Sequence, residues 1–276
     1  MIAREDMGRV ATGAPARRLG GTASSITRAL PEEVPVAITV NGSSQAVMMA
    51  SPADLEDFAV GFALTEGIVE EASEIESVEA MSLSGGIEAR LWISDARAEA
   101  LGARRRAMLG PVGCGLCGID SLDQAMRPVP RVTAEARFVH GEIAGAGDAL
   151  RGHQPLHDQT RAVHAAGFLL PGQGIVAARE DVGRHNALDK LIGALARAGI
   201  EAAQGALVMT SRISLDIVQK AAMAGAGVVV SVSAPTATAL RLADEAGITL
   251  AAFARGDTVE VYTHPHRITE RESDVA

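Results

Sequence analysis

Aromatic side chains are scarce in this chain. Phe, Tyr and Trp make up 3% of its 276 residues, with a single Trp and a single Tyr. A core must therefore be built from Ala, Val, Leu, Ile and Met. Cysteine is scarcer still: Cys114 and Cys117 are the whole complement, which excludes a disulfide framework. Positive charge is in deficit, with 25 Lys and Arg against 34 Asp and Glu and a net charge of -9. Such a surface does not attract nucleic acid or acidic lipid as a whole. A polyanionic ligand would need a local cluster of Arg and backbone N–H groups. Long apolar runs are missing too. The most apolar stretch, residues 221–234, is broken by Gly225, Gly227, Ser231 and Ser233, so no bilayer-spanning helix is expected. Arg4, Arg9, Arg17 and Arg18 stand near the N-terminus without the apolar core of a signal peptide. These absences predict a cytoplasmic protein with no membrane or nucleic-acid partner. There, neighbouring thiols stay reduced unless they carry out redox or sulfur chemistry.

What is present is a globular composition, 47% hydrophobic and 21% charged, long enough for one large domain or two ordinary ones. Residues 1–21 lack periodicity and are expected to be a flexible arm; residues 269–276 are expected to be a charged tail. Val34, Val36, Ile38 and Val40 alternate and lead into Asn41-Gly42, a strand and hairpin turn with residues 46–49 as the return. Ser51-Pro52 reads as a helix cap followed by proline, Leu55, Phe58, Ala59 and Phe62 as the helix's apolar stripe, and Gly67 as its end. A second hairpin turns at Gly85-Gly86, with Ile87, Ala89, Leu91 and Ile93 on one face. Residues 22–132 are thus expected to form a mixed α/β domain.

From about Thr133 the pattern changes. A helix is expected first, then a hairpin through Pro171-Gly172-Gln173-Gly174, then a helix over residues 185–198. Short apolar strands at 206–210, 228–232 and 248–253 then alternate with helices at 214–224 and 237–246. These strand runs do not alternate in polarity, so both faces should be covered. Residues 133–268 are expected to be a three-layer α/β/α domain.

The Cys pair lies between the halves in Gly113-Cys114-Gly115-Leu116-Cys117-Gly118. Three glycines in six residues leave little cover over the sulfurs, which argues against a pair of buried core thiols. Structural zinc needs four ligands, and the seven His are scattered. A zinc deaminase needs His-x-Glu before Pro-Cys-x-x-Cys; here His140-Gly141-Glu142 follows the Cys pair and reads as surface. A thioredoxin-like dithiol would sit near the start of a βαβ unit rather than mid-chain. Sulfur carriage remains: a thiolate accepts a terminal sulfur and hands it on, and no metal is expected.

In parallel sheets ligands sit at the carboxyl ends of strands. The three proposed strands end in Thr210-Ser211-Arg212, in Ser231-Val232-Ser233-Ala234-Pro235-Thr236 and in Phe253-Ala254-Arg255-Gly256. All three ends should share one edge. Arg212 and Arg255 are suited to fork around phosphate oxygens there, close to helix N-termini. Single loops of this kind are usually plain helix caps or solvated arginines; three on one edge say more. Residues 179–186, Arg-Glu-Asp-Val-Gly-Arg-His-Asn, are denser in charge than a solvated turn needs. They fit either an acid–base role or ligand binding.

At these residues the chain resembles the formate dehydrogenase accessory sulfurtransferase family, FdhD. The resemblance rests on Ser51-Pro52-Ala53-Asp54, Gly61-Phe62, Glu66-Gly67, the glycine-flanked Cys pair, Val163-His164-Ala165-Ala166, residues 179–190 and 210–220, Ser233-Ala234-Pro235-Thr236, and Phe253-Ala254-Arg255 with Tyr262. It spans most of residues 34–264. One departure is Arg161-Ala162, where many members carry glycine. The resemblance implies a cytidine-deaminase-like C-terminal fold without its zinc. It implies that sulfur is taken from a cysteine desulfurase as a persulfide on Cys114, with Cys117 as its partner. The acceptor would be a molybdenum cofactor bearing two pterin guanine dinucleotides, destined for formate dehydrogenase. Phe253, Ala254, Arg255, Gly256, Asp257 and Thr258 would contact it, with Ser211, Arg212 and Ser233 beside them, and a GDP-like nucleotide would fit the same place. A homodimer is also implied. The rival readings are a cofactor-binding chaperone whose Cys pair is merely redox-sensitive and, less well supported, a nucleotide deaminase relative.

Overall fold

The computed structural model describes residues 8–20, 24–99, 101 and 128–270. Cys114 and Cys117 lie outside the described residues. Two strands come first, β1 (Ala11–Arg18) and β2 (Ser24–Pro31), paired antiparallel with Ala11 opposite Pro31 and Arg18 opposite Ser24. The arm expected over residues 1–21 is thus corrected at residues 11–18, which form a paired strand. The ribbon's side chains are mostly exposed, so its sequence carries no hydrophobic alternation. Backbone pairing holds it, and it leans on the short helix Pro155–Thr160. A two-stranded ribbon is marginal alone and needs such support.

The next four strands form a sheet in the order β4-β3-β6-β5: β3 (Val34–Val40), β4 (Ser43–Ala50), β5 (Ile75–Leu83) and β6 (Gly86–Ile93). Both hairpins form as expected, and β3 and β6 run parallel at the centre. Val34, Val36, Ile38, Ile87, Ala89, Leu91 and Ile93 point to one face and are buried against Phe58, Ala59 and Ala63 of α1 (Leu55–Thr65). Ser51 does not cap α1. The helix begins at Leu55 with Asp54 as the cap residue, at φ 54°. Ser51 is fully buried and otherwise engaged: its N–H donates to Asp181 Oδ2 (2.9 Å), its Oγ accepts from Val182 N (3.2 Å) and its carbonyl accepts from Lys190 Nζ (2.9 Å). Gly67, at φ 66°, ends the helix as expected.

The remaining chain builds a second sheet. The helix expected after Thr133 is instead a short strand, β7 (Phe138–Val139), and three short helices, α2 (His140–Ala144), α3 (Ala146–Arg151) and α4 (Pro155–Thr160). Gly145, Gly152 and Pro155 punctuate the run. Glu142 is not merely surface: its carboxylate accepts from Val139 N and Gly172 N, tying α2 to the hairpin turn at residues 171–173. Then come β8 (His164–Leu170), β9 (Gly174–Asp181), α5 (Arg184–Arg197), β10 (Ala206–Met209), α6 (Leu215–Met223), β11 (Val228–Ser231), α7 (Ala237–Ala246), β12 (Thr249–Arg255), β13 (Thr258–Val261) and β14 (Ile268–Thr269). The sheet order is β13-β12-β11-β10-β8-β9, with β10, β11 and β12 parallel. One face packs Phe168, Leu207, Val229 and Leu250 against Leu188 and Leu191 of α5, Ile217 and Val218 of α6 and Ala243 of α7. The other packs Val208, Val230 and Ala251 against Phe138, Ile143 and Leu150. Both faces are therefore covered, which is why these strands read as unbroken apolar runs. Thr269, placed in the tail by its charged context, pairs with Val139.

The two cores meet where α1 crosses α5. Asp57, Gly61 and Thr65 recur every four residues on α1, and Asp189, Gly193 and Arg197 do so on α5. A Cβ added at Gly61 would lie 1.8 Å from the Asp189 carbonyl oxygen, and one at Gly193 would lie 1.9 Å from that of Asp57. Only glycine permits this approach. On either side of the glycines the helices are joined by Arg197 Nη1 to Asp57 Oδ1 (2.5 Å) and Thr65 Oγ1 to Asp189 Oδ1 (2.8 Å).

Candidate functional site

Parallel pairing brings the carboxyl ends of β10, β11 and β12 to one edge, as expected. β8 runs antiparallel to β10, so its first residue, His164, also stands there. Thr210 ties the two strands: its Oγ1 accepts from Ala165 N (2.9 Å). Above this edge lies a cleft of about 700 Å³ lined by α3, α4 and the strand ends. Its polar lining is Asp148, Arg151, Gln154, His157, Arg161, His164, Thr210 and Arg255. Three arginines against Asp148, with Asp158 beside them, is a local cationic excess in an acidic chain.

Each side chain has its own anchor. Arg151 ends α3 and pairs through Nη2 with Asp158, while its Nη1 is buried with no hydrogen-bond partner among the described residues. Arg161 Nη1 stands 3.6 Å from the same Asp158. Arg151 above all, and then Arg161, hold the Asp158 carboxyl below its usual range. His157 is fixed twice. Its backbone N–H donates to Glu180 Oε1 (2.8 Å), and its Nδ1 lies 3.2 Å from the Val163 carbonyl. A carbonyl only accepts, so Nδ1 carries hydrogen and Nε2 is the free ring nitrogen. His164 is half-buried; burial first, and the Arg184 charge next, hold its pKa below the usual histidine value. It therefore favours the neutral imidazole at pH 7. Arg255 Nη2 donates to the Val232 carbonyl (3.1 Å). Asp148 accepts from Gly256 N (3.3 Å).

Of the residues singled out in the sequence, Arg255 lines the cleft, and Gly256 is held to it through Asp148. Phe253 is 40% exposed on the same edge and adopts φ 52°, an unusual backbone for an aromatic residue; β12 bulges between Ala252 and Arg255. Ala254 is buried, while Asp257 in the turn and Thr258 at the start of β13 are exposed. Ser211 is buried, its carbonyl accepting from Ser231 Oγ (2.6 Å). Arg212 is exposed and, like Ser211 and Ser233, does not line the cleft. Arg151, Gln154, His157 and Arg161 were missed. They come from the short helices α3 and α4, whose only local signals were Pro155 and the glycines around it. Arg161, at the position where the resemblance expects glycine, closes α4 at φ 59°.

The charged segment 179–186 serves mainly the junction between the halves. Arg179 donates to Asp57 Oδ2 through Nε and Nη2 (2.9 and 2.8 Å). Glu180 accepts from Leu156 N and His157 N at the start of α4. Asp181 is fully buried and receives Ser51 N, Gly183 N, Asn186 Nδ2 and Lys190 Nζ. No group of three or more His, Cys, Asp or Glu side chains is placed to share a metal ion among the described residues. No helix among them is long and apolar enough to cross a membrane.

Comparison with known proteins bears on what this edge is for. The model of the FdhD/NarQ family matches residues 31–269. A sulfur carrier protein FdhD of Agrobacterium fabrum is 54% identical over 249 residues, covering 90% of this chain and 92% of that protein. One from Bordetella petrii is 45% identical and covers 95% of each. A crystal structure described as that of a formate dehydrogenase accessory protein from Desulfotalea psychrophila superposes with a TM-score of 0.75 at 25% identity, over 94% of this chain and 99% of that one.

Proposed function

The chain belongs to the FdhD/NarQ family, and from that premise we propose that it is a sulfur carrier protein acting for formate dehydrogenase, probed at its Cys114–Cys117 pair. Cys114 as thiolate attacks the outer sulfur of a persulfide on a cysteine desulfurase. A new S–S bond forms on Cys114, the donor's S–S bond breaks, and the donor sulfur leaves as a thiolate that takes up the proton. Cys117 aids release of the carried sulfur. The acceptor is the molybdenum cofactor with two pterin guanine dinucleotides, held at the strand-end edge before delivery to formate dehydrogenase in the cytoplasm.

The observation that carries the acceptor half of this reading is the cationic cleft. Arg151, Arg161 and Arg255 converge in a chain of net charge -9, with the His157 and His164 imidazoles among them, on the edge where the segment from Phe253 to Thr258 emerges. Phosphate-bearing substrates suit such a lining, because guanidinium groups bind their oxygens in pairs. The carrier half is supported by the names of the relatives and by the Cys pair within the matched residues.

Intact-mass measurement after incubation with a cysteine desulfurase and cysteine tests it. Wild type should gain about one sulfur atom and lose it to a reductant, and Cys114→Ser should not gain it. Cys117→Ser should load but transfer poorly. Both variants should bind GDP as wild type does. If Cys114→Ser still loads sulfur and still supports formate dehydrogenase, the carrier assignment fails and a cofactor-binding chaperone takes its place.

A further inference from the structure

Five non-glycine residues among those described hold a left-handed backbone: Asn41, Asp54, Arg161, Phe253 and His264. Asn, Asp and His adopt that region several-fold more readily than other side chains. Arg161 and Phe253 are the two that do not, and both stand on the strand-end edge. Phe253 already belongs to the segment expected to contact the cofactor. Arg161 has no assigned role.

Its conformation calls for glycine. At φ 59° and ψ 23° Arg161 caps the C-terminus of α4, its N–H donating to the His157 carbonyl (2.7 Å). Glycine dominates such caps because it has no Cβ to crowd the carbonyl. The arginine side chain returns little to the fold. It is 57% exposed, and its ion pair with Asp158 spans 3.6 Å between two exposed groups. Pairs of that kind contribute almost nothing to stability. A strained residue that repays nothing structurally points to a ligand.

The surroundings say which ligand. Asp158 is shared between Arg161 and Arg151. Among the described residues Arg151 still holds a buried Nη1 with no partner. Across the cleft Arg255 spends Nη2 on the Val232 carbonyl. The other cleft carboxylate, Asp148, is turned to Gly256 N. We infer that Arg151 and Arg161 form an oxyanion subsite for a diphosphate group, in which Asp158 is a resident counter-ion that the ligand displaces. The inference deepens the proposed function and rests on the cleft being where the phosphate-bearing substrate lies. Cations from α3, the end of α4 and β12 suit an extended, multiply charged oxyanion better than a single carboxylate.

Calorimetric titration of the full chain with inorganic pyrophosphate tests it, alongside thermal melts. Arg161→Gly should weaken binding about tenfold, the loss of one charge-assisted contact. The same change should raise the melting temperature by relieving the cap. A purely structural arginine would instead lower it. Arg161→Lys should keep part of the affinity, and Asp158→Asn should bind pyrophosphate more tightly by removing the competing carboxylate. Unchanged affinity in Arg161→Gly, weaker binding in Asp158→Asn, or no binding by wild type would each overturn the subsite. Sulfur loading on Cys114, measured separately by mass, judges the carrier reading alone.

Discussion

Two regions of this molecule are crowded with charge, and they differ in how that charge is satisfied. At the junction of α1 and α5, Asp181 and Lys190 are wholly buried and 2.7 Å apart, and Lys220 reaches Asp189, Glu66 and Thr65. Burial pushes the Asp189 carboxyl up, and Lys220 opposes it; Lys220 itself is held above its usual value despite its own burial. At the cleft, by contrast, Arg161 stands largely in solvent, 3.6 Å from Asp158, and Arg151 keeps a buried Nη1 with no partner among the described residues. Charges met internally hold two cores together. A loosely paired guanidinium beside an open cleft is available to a ligand.

Removing a charge from each region tests that contrast. The largest effect should come from Lys190→Met, which leaves the Asp181 carboxylate buried without its cation. A loss of about 3–5 kcal/mol is expected, read from urea unfolding. The folded fraction should still bind GDP with wild-type affinity. Unchanged stability would erase the distinction. Next, Arg255→Ala should weaken GDP binding by about 1–3 kcal/mol with little change in melting temperature. Arg212→Ala, equal to it on sequence grounds, should cost under about 0.5 kcal/mol, because Arg212 is exposed outside the cleft lining. Equal losses would extend the site across the β10 end. The smallest effect concerns Asp216, whose Oδ2 lies 3.5 Å from His185 Nε2. The neighbouring His185 imidazole, ahead of the opposing effect of burial, lowers its pKa from 3.8 to about 2. A depressed carboxylate contributes stability above its ordinary pKa and loses it as pH falls toward the folded value. Melting temperature should therefore decline across that acid window, and Asp216→Asn should flatten the decline.

The strands were legible wherever burial is one-sided or complete. Alternation from Val34 to Val40 and the apolar run at 228–232 both report which faces are covered. The β1–β2 ribbon was not legible, since exposed side chains leave no pattern and only backbone pairing defines it. Ser51 misled because serine before proline is a common helix cap, whereas here its groups are taken by Asp181, Val182 and Lys190, more than a hundred residues away. The site was half legible. Strand ends follow from the order of the strands, so Arg255 was found. Arg151, His157 and Arg161 lie on helices of six residues each or at their ends, too short for periodicity to show which side faces the cleft. Within the dense charge at 179–186, Arg179 and Asp181 serve the junction and Glu180 holds the start of α4, while Arg184 Nε and His185 Nε2 are buried with no hydrogen-bond partner among the described residues; composition reports charge and not whether that charge is paired.

The meeting of Gly61 with Gly193 also shapes how the protein is made. Its flanking bonds join residues 124 and 140 positions apart, Thr65 with Asp189 and Asp57 with Arg197. On a ribosome, α1 emerges long before its partner helix exists, and chains often misassociate while such a face waits uncovered. The face that waits is Asp57, Gly61 and Thr65, with Glu56 and Glu66 beside it. A nascent chain thus shows water a largely polar strip and a bare glycine, while most of its apolar residues are shut against the first sheet and Leu64 and Phe62 wait for the second half. Late docking of α5 then converts well-solvated groups into the seam, with little sticky surface exposed in the interval.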